Sequence, residues 1–300
     1  MSIKKLLAYY YRRGLTLISP KLNTSAIYKA RFGKKLDLKN PETLTEKILW
    51  LKFNTYWNNP LIKQCADKYR VREYVEESGC GNILNELIGI YKRPEEIEWD
   101  RLPNHFAIKL NAGCGFNHIV FDKDKENLDN LIVEINQWIK KAKTIWLGYS
   151  EMQYKDVEPV ILIEKYLGSD KGDLPEDYKF YCINGKCQMT MLCKDRDDHG
   201  HCEKYIYMDR DWNMLTNGME DKDYHVEKPG CIEEAMSFAE KLSKPFPFVR
   251  VDFYLLGEKI VFGELTFTPA AGMDVDHKLK IFNSNDDLDH VFGEKLKLPM

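Results

Sequence analysis

The chain has 300 residues, of which 44% are hydrophobic, and its formal net charge is −3. This length and composition allow a sizeable buried core in one unit of two or three lobes. The small net charge, without a basic arm, excludes a general nucleic-acid-binding protein. The eight cysteines contain no C-x-x-C pair and no secretory signal is evident, so we expect reduced thiols and a cytoplasmic protein.

Residues 1–19 combine Lys4 and Lys5 with a short run of leucine and tyrosine that Arg12 and Arg13 interrupt. The run is too short to span a bilayer and lacks a small-residue cleavage site. It predicts a basic amphipathic helix with two open interpretations. Tyrosine-rich helices pack well on protein, which favours docking on the body of the molecule. The alternative is peripheral contact with the inner surface of the membrane.

Up to about residue 100 the sequence otherwise favours helix. One helix is predicted over residues 42–53, where leucine and isoleucine recur at helical spacing. A second is predicted over residues 61–77, because Gly79 and its neighbours then end it. A short apolar segment at residues 83–90 closes this region.

Alternating apolar and polar residues predict strands from residue 105 onward. The predicted strands cover residues 105–111, 118–121, 157–167, 178–183, 187–193, 205–208, 248–255 and 260–267. Helices are predicted near residues 128–139 and 232–242. Antiparallel strands with a few helices indicate an α+β fold and exclude a doubly wound parallel sheet.

The last predicted hairpin has the strongest chemical signal. Arg250 and Asp252 share one face of its first strand, and Glu264 and Thr266 share one face of the second. A five-residue connection sets Asp252 opposite Glu264, where two carboxylates repel each other. Bound Mg²⁺ offsets that repulsion. An ion pair between Arg250 and Glu264 on a hydrated face is the open alternative, and in either case we expect this polar face to be accessible.

Two weaker signals precede the hairpin. Lys109 lies on the polar side of its strand and is followed by the loop Ala112–Gly115, whose backbone N–H groups can approach phosphates. This is not a Walker loop, because no Gly-Lys-Ser/Thr follows. We expect little packing around the loop, and an ordinary turn is the alternative. Glu164, near the end of the apolar strand 161–167, can offer its carboxylate to a purine nucleoside.

Two other patterns are candidates for metal binding. A group of cysteines and histidines fits no common zinc template, so buried thiols are the expected interpretation: Cys182, Cys187, Cys193, Cys202, His199 and His201. Three Asp-x-Asp pairs, beginning at Asp195, Asp209 and Asp274, match the metal-binding motif of glycosyltransferases. So short a pattern arises easily by chance, and the strand–helix repeats expected upstream are missing.

In chain order these segments resemble the ATP-grasp enzymes. The matching residues are Lys68, Lys109 with its glycine loop, Glu164-Lys165-Tyr166-Leu167, Arg250-x-Asp252 and Glu264-x-Thr266. The segment IEKYL and the pair RVDF and ELTFTPAAGM are similar to the D-alanine–D-alanine ligase pattern.

Within the superfamily, the chain most resembles the TupA-like ATP-grasp proteins of bacterial surface-polysaccharide gene clusters. The similarity runs from about residue 40 to 269 through NPETLTEKILWLK, ADKYRVREYV, FAIKLNAGCGFN, IEKYL, DYKFYCINGK, MDRDWN, FPFVRVDFY and GELTFTP. Two departures stand out. Thr266 replaces the usual asparagine, and Ala112–Gly115 replaces His-Gly-Ser-Gly, which removes a hydroxyl at Cys114.

The resemblance implies an ATP-grasp fold, in which two lobes with antiparallel sheets clasp ATP beside a helical N-terminal region. The expected domains are a helical region at 1–102, a small lid at 103–163 and a C-terminal domain with the metal-binding hairpin at 164–300.

ATP and Mg²⁺ are the implied cofactors. The phosphates would be contacted by Lys68 and Lys109 and covered by Gly113 and Gly115. The nucleoside would be bound by Glu164, Lys165 and Leu167, and Mg²⁺ by Asp252, Glu264 and Thr266.

The implied reaction transfers the γ-phosphate of ATP to a carboxylate, and an amine then attacks the acyl phosphate. The implied carboxylate is a uronic acid or amino acid of a cell-surface glycopolymer, such as a capsule, or of its precursor. Arg250 would steady the acyl phosphate, and Lys179 and Arg196 would meet an anionic group of the substrate. A kinase that phosphorylates a sugar hydroxyl and a glycosyltransferase of the same pathway are the alternatives.

Overall fold

A computed structural model describes residues 3–168, 174–196, 202–219 and 221–299. The named strands in these ranges pair antiparallel and form two sheets, one of four strands and one of six. The α+β class predicted from the sequence is confirmed.

The helices are α1 (Ile3–Ile18), α2 (Pro20–Phe32), α3 (Leu44–Asn54), α4 (Pro60–Ala66), α5 (Val71–Glu77), α6 (Leu128–Ala142), α7 (Trp146–Tyr149), α8 (Ile232–Ser243) and α9 (Leu288–Lys295). The strands are β1 (Leu87–Tyr91), β2 (Phe106–Leu110), β3 (Asn117–Val120), β4 (Ile161–Lys165), β5 (Glu176–Ile183), β6 (Lys186–Arg196), β7 (Cys202–Asp209), β8 (Met214–Asn217), β9 (Phe248–Leu256) and β10 (Lys259–Thr266). Short 3-10 turns connect several of them. Among the described residues, no helix has the length and apolar content that a bilayer crossing needs.

The chain forms two compact units, and it enters each of them three times. The first unit contains residues 1–36, 56–72 and 85–167, and the second contains 37–55, 73–84 and 168–300. This division differs from the three consecutive segments expected from the sequence. Strand pairing explains part of the difference, because β1, from the region expected to be helical, joins the same sheet as β2 and β4.

The first unit is built on the four-stranded sheet, with strand order β1-β4-β2-β3. The core of this unit contains α6 together with apolar residues of β2 and β4, which are Phe106, Ile108, Leu110, Ile161 and Ile163. The buried residues of α6 are Leu131, Ile135, Trp138 and Ala142, which recur at the period of a helix and therefore form one apolar face. This packing fixes β2 and β4, whose polar side chains include Lys109 and Glu164.

The second unit is built on the six-stranded sheet, with strand order β10-β9-β5-β6-β7-β8. Helix α8 packs on β5, β6 and β9. Helix α3 begins with a capping box of Thr43 and Glu46 and packs against α9. Gly293 of α9 permits that contact, because a Cβ atom there would lie 2.6 Å from the carbonyl oxygen of Glu42.

The single helix predicted over residues 61–77 is wrong, because α4 and α5 are separate. Asp67 has an extended backbone, with ψ at 116°, and its Oδ1 accepts the N–H groups of Tyr69 at 2.8 Å and Arg70 at 3.0 Å. Aspartate competes in this way with helical hydrogen bonding. The short strand β8 and the helix α9 were not predicted, because each is too short for its period to stand out.

Candidate functional site

The first unit contains a group of buried charges, the lysine–glutamate cluster, formed by Lys68, Arg72, Lys109 and Glu164. Lys109 on β2 and Glu164 on β4 lie on neighbouring strands, and their Nζ and Oε2 atoms are 2.7 Å apart. Arg72 approaches the other carboxylate oxygen of Glu164 at 4.0 Å. Three cationic side chains therefore surround one carboxylate, an excess of positive charge that suits an anionic ligand.

The charge state of Glu164 follows from its surroundings. Burial by itself would raise the pKa of this carboxyl group. The charge of Lys109 and its hydrogen bond, with smaller contributions from Arg72 and Lys68, outweigh burial and lower the pKa below its ordinary value. Glu164 is therefore ionised at neutral pH and orients Lys109.

The break between α4 and α5 positions Lys68. Its backbone N–H donates to the carbonyl oxygen of Asn111 at 2.8 Å, and its Nζ donates to the carbonyl oxygen of Gly113 at 3.0 Å. Buried Asn111 donates from its side chain to Asp67 Oδ2 at 2.7 Å and accepts the N–H of Val160 at 2.8 Å. Asn111 and Asp67 thus hold Lys68 against the loop after β2, a role that the sequence analysis missed.

The loop after β2 depends on two glycines. Gly113 and Gly115 have φ of +87° and +76°, which an L side chain rarely adopts. A Cβ atom at Gly113 would lie 2.8 Å from Ile145 Cδ1 and 3.1 Å from the Phe116 ring. A Cβ atom at Gly115 would have no heavy atom within 4 Å other than those of Gly115 and its two chain neighbours. The expectation of little packing is therefore correct at Gly115 and wrong at Gly113.

The residues predicted to bind the nucleoside lie in different surroundings. Glu164 belongs to the lysine–glutamate cluster, whereas the exposed Lys165 has its Nζ 3.5 Å from Glu86 Oε2. The backbone carbonyl of Lys165 accepts a hydrogen bond from Asn85 at 2.9 Å, and Leu167 is half-buried. Roles of these residues in nucleoside binding stay predictions.

The second unit contains the arginine–aspartate cluster, formed by Asp177, Lys179, Arg250, Asp252, Glu264 and Thr266 on β5, β9 and β10. Asp252, only 3% exposed, accepts two hydrogen bonds from Arg250, at 2.8 Å to Oδ1 and 2.7 Å to Oδ2. Lys179 Nζ donates to Asp252 Oδ2 at 2.9 Å and also to Asp177. Asp252 is therefore compensated by two cations from its own and a neighbouring strand.

The predicted pairing of Asp252 with Glu264 is confirmed, but a different geometry produces it. The turn between β9 and β10 has only two residues, Gly257 and Glu258, and the register then shifts by one residue at Gly263. A Cβ atom at Gly263 would lie 2.9 Å from the backbone oxygen of Asp252. Glycine permits this β-bulge, and the bulge moves Glu264 into place opposite Asp252.

Glu264 differs from Asp252 in its exposure, because its side chain is 35% accessible. Its Oε1 accepts the hydroxyl of Thr266 at 2.9 Å and lies 3.5 Å from Arg250 Nη2. The predicted Arg250–Glu264 pair thus exists as the longer of the two ion pairs of Arg250. The expectation of an accessible polar face is correct for Glu264 and wrong for Asp252.

The cations of this cluster are held in their charged forms. Burial would lower the pKa of Lys179, but the carboxylates of Asp252 and Asp177 outweigh it and raise that pKa well above its ordinary value. Burial opposes ionisation of Arg250 in the same way, and the charge and hydrogen bonds of Asp252 again raise its pKa. The repulsion between the carboxylates of Asp252 and Glu264 is therefore offset by protein cations.

Two carboxylates fit Mg²⁺ that arrives with a nucleotide, since this ion combines one or two carboxylates with phosphate oxygens. In the part of the chain that the structure describes, no three His, Cys, Asp or Glu side chains form a group that could hold a metal ion. Cys182, Cys187 and Cys193 are buried, and His199 and His201 lie outside the described residues. The donor set thus suits a shared metal and not a protein-only cage.

A strained turn follows β10 directly. Ala270, Ala271 and Gly272 have φ of 46°, 61° and 83°, and left-handed alanines cost about 1–2 kcal/mol each. Lys52 of α3, only 1% exposed, donates from Nζ to the carbonyl oxygen of Ala271 at 3.0 Å. Such strain is typical of functional segments, and neither the turn nor a role for Lys52 was predicted from the sequence.

The remaining predicted residues separate into two groups. Arg196 ends β6, where it pairs with Cys202, and its side chain is outside the described residues.

Two of the Asp-x-Asp pairs organise turns. Asp209 Oδ1 accepts the N–H of Asp211 at 2.9 Å, and Asp274 Oδ1 accepts that of Asp276 at 3.1 Å. These contacts explain the pairs without a nucleotide sugar.

Comparison with known proteins gives a family match over most of the chain. The family model described as TupA-like ATPgrasp matches residues 46–297. Among solved structures, L-amino acid ligase from Bacillus licheniformis has 12% sequence identity and a TM-score of 0.52 over 94% of this chain and 63% of its own. D-alanine–D-alanine ligase from Bacillus anthracis complexed with ATP has 16% identity and a TM-score of 0.43 over 68% of this chain and 55% of its own.

The chain therefore spans less than two thirds of the length of these solved proteins, at 63% and 55%. No curated protein matches the sequence. The ATP-grasp fold predicted from the sequence is confirmed by the family match together with the two antiparallel sheets.

Neutralising Asp252 should destabilise the protein far more than neutralising Glu264. We expect Asp252→Asn to lower the free energy of unfolding by about 3–5 kcal/mol, because it leaves Lys179 and Arg250 buried with less negative charge. Glu264→Gln should cost about 1 kcal/mol or less, since this side chain is partly solvated. Urea unfolding at pH 7 without ligand compares the two. Equal small losses would contradict the compensation of Asp252 by buried cations.

Acid should weaken the first unit through Glu164. Because folding lowers the pKa of this carboxyl group, its contribution is present above its ordinary value of about 4.5 and is lost as the pH falls through the lower folded value. Glu164→Gln should therefore lose less stability than the wild type when urea unfolding is repeated at falling pH below about 4.5. Glu86→Gln, which removes an exposed carboxylate of the same unit, is the control and should follow the wild type. Parallel curves for wild type and Glu164→Gln would contradict the assignment.

Proposed function

The chain belongs to the TupA-like ATP-grasp family, and on that ground we propose that it is an ATP-dependent carboxylate–amine ligase. In the proposed reaction a carboxylate oxygen attacks the γ-phosphorus of ATP, and ADP leaves. An amine then attacks the carbonyl carbon of the acyl phosphate, inorganic phosphate leaves and an amide forms. The protein's main task in such a reaction is positioning and charge neutralisation.

The observation that supports this proposal best is the β9–β10 hairpin. The bulge at Gly263 sets Glu264 opposite Asp252, with Arg250 bound to Asp252 and 3.5 Å from Glu264. The cluster has three carboxylates, those of Asp177, Asp252 and Glu264, against the two cations Lys179 and Arg250. This excess of negative charge beside a fixed guanidinium suits a metal bound to phosphate and an anion that forms next to it.

We assign phosphate binding to the first unit. Lys68 and Lys109 are the proposed phosphate ligands, and an ammonium group has three N–H donors, so Lys109 can bind phosphate while it keeps Glu164. The backbone N–H groups around Gly113 and Gly115 are proposed to cover the phosphates. Glu164, Lys165 and Leu167 are proposed to contact the nucleoside.

Metal binding and the reacting carboxylate are assigned to the second unit. Asp252 and Glu264 are proposed to hold Mg²⁺, with the Thr266 hydroxyl in place of the family's usual amide. When bound, Mg²⁺ neutralises negative charge on the transferring phosphoryl group. Arg250 is proposed to steady the acyl phosphate. Lys179 and Arg196 are proposed to meet an anionic group of the substrate, and Lys179 must then share N–H groups already donated to Asp177 and Asp252.

The proposed carboxylate is a uronic acid or an amino acid, either free or linked to a glycan, and the proposed amine includes amino acids. The family supports a place in surface-polysaccharide synthesis, such as that of a capsule. Use of ATP favours the cytoplasm as the site of the reaction. A kinase of the same fold, which would phosphorylate a hydroxyl, is separated from the ligase by its product.

Hydroxylamine should trap the acyl phosphate. With Mg-ATP and a panel of uronic acids and amino acids, we expect ADP release and a hydroxamate with the correct carboxylate, because hydroxylamine replaces the natural amine. Coloured iron(III) complexes report the hydroxamate and a coupled assay reports ADP. AMP and pyrophosphate as products, full activity in EDTA, or a phosphorylated sugar without hydroxamate would each contradict the ligase proposal.

A matched pair of variants tests the role of the hairpin in this assay. Glu264→Gln should lower kcat by about 100-fold or more, the usual effect of removing a preorganised charged group. Glu258→Gln removes an exposed carboxylate from the turn of the same hairpin and should leave kcat unchanged. Similar kcat values for both variants would remove Glu264 from the site.

A further inference from the structure

The first helix docks through its polar side. Thr16 is buried, and its hydroxyl donates to the carbonyl oxygen of Leu147 at 2.8 Å. Arg13 donates to the carbonyl oxygen of Thr144 at 3.2 Å, and Asn23 of α2 donates to Thr16 Oγ1 at 2.8 Å. The predicted docking on the body of the protein is therefore correct for this side of α1.

The opposite side of α1 forms an exposed apolar stripe, which we call the outer stripe. It consists of Leu7, Tyr10, Tyr11, Leu17 and Ile18, which are 66%, 62%, 64%, 68% and 78% exposed. Their spacing places them along one side of a helix. A helix on a protein surface normally buries its apolar side and exposes its polar one, and α1 does the reverse. A contiguous exposed apolar surface of this kind marks a binding surface.

The charge of the N-terminal segment that contains the outer stripe is unbalanced. Residues 1–36 contain nine of the 44 lysines and arginines of the chain and none of its 47 aspartates and glutamates. The rest of the chain therefore has 35 basic residues against 47 acidic ones. Lys29, Arg31 and Lys35, on and just after α2, are exposed. A segment that combines exposed basic residues with an exposed apolar stripe suits a partner that is both apolar and negatively charged.

We propose that the outer stripe inserts into the interface of an anionic lipid bilayer, with α1 lying in the plane of the membrane. Leucine and isoleucine side chains can enter the acyl boundary, tyrosines suit the headgroup level, and lysines and arginines meet anionic lipids. A second copy of this chain fits less well, because a symmetric contact through the same surface would bring two acid-free regions together. A nucleic acid would leave the apolar stripe exposed. This inference is independent of the proposed ligase reaction.

Co-sedimentation of the full chain with lipid vesicles tests the proposal without any nucleotide. Vesicles of phosphatidylcholine alone are compared with vesicles that also contain phosphatidylglycerol. We expect binding to the anionic vesicles that falls with added salt, and weak binding to the neutral ones. Leu17→Gln/Ile18→Gln should weaken binding about tenfold or more. Lys29→Gln/Arg31→Gln should weaken it about 30-fold, from about fivefold for each charge near the surface.

Matched controls keep the interpretation specific. Val133→Gln replaces a residue of α6 that is 57% exposed, and Lys140→Gln/Lys141→Gln removes two exposed charges from the same helix. Both should bind anionic vesicles as the wild type does. Circular dichroism checks the fold of every variant, which we expect to be unchanged because α1 is held by Thr16 and Arg13.

Three results would overturn the proposal. The first is that no vesicles bind, and the second is that binding is unaffected by Leu17→Gln/Ile18→Gln. The third is a concentration-dependent dimer that the same double substitution abolishes, which would assign the outer stripe to a second copy of the chain. Since the vesicle assay contains no ATP, a failed ligase assay has no bearing on its outcome.

Discussion

The arginine–aspartate cluster depends on the compensation of one buried carboxylate. Asp252 is almost inaccessible to solvent and accepts hydrogen bonds from Arg250 on its own strand and from Lys179 on the next. An unpaired carboxylate at this depth would cost several kcal/mol, so the two cations and the carboxylate fix one another's positions. Because β9 lies between β5 and β10, the same carboxylate also sets the electrostatic surroundings of Glu264. Glu264 is then a partly solvated acid next to a fixed guanidinium.

The first unit uses the same physical arrangement with the opposite balance of charge. There a single buried carboxylate, Glu164, orients Lys109 and lies near Arg72. The lysine–glutamate cluster has more cations than carboxylates, which favours phosphate. The arginine–aspartate cluster has three carboxylates with two cations, which favours a divalent cation. In both, buried partners hold the side chains in place before any ligand binds, and such preorganisation is what electrostatic catalysis requires.

Much of the fold and the identity of many site residues could be predicted from the sequence, because strands with one buried face alternate visibly. The position of Asp252 opposite Glu264 was also predictable. The expected turn between the two strands was too long, however, and the bulge at Gly263 was not foreseen. A bulge depends on a close backbone contact across strands, and a single sequence contains no record of such contacts. For the same reason the sequence indicated a role for Lys68 but not for Asn111. Asn111 belongs to another segment of the chain and accepts the backbone N–H of Lys68.

Other features could not be predicted because they arise only in the folded chain. The left-handed turn at Ala270 and Ala271 contradicts the preference of alanine for negative φ. It is held by contacts that include a hydrogen bond from Lys52, which is far from it in sequence. The two interleaved units follow from strand pairing over long separations in sequence. The inverted orientation of α1 was hidden for a related reason. Its pattern showed an amphipathic helix but not which side is docked.

The most direct test of this account is calorimetric titration of ATP, with and without Mg²⁺, into the wild type, Lys109→Gln and Glu264→Gln. We expect the wild type to bind ATP and Mg²⁺ to tighten that binding. Lys109→Gln should weaken binding in both conditions, because a phosphate ligand is lost. Glu264→Gln should abolish most of the tightening by Mg²⁺ and leave metal-free binding unchanged. A wild type that does not bind ATP, or a Glu264→Gln variant with the full effect of Mg²⁺, would contradict it.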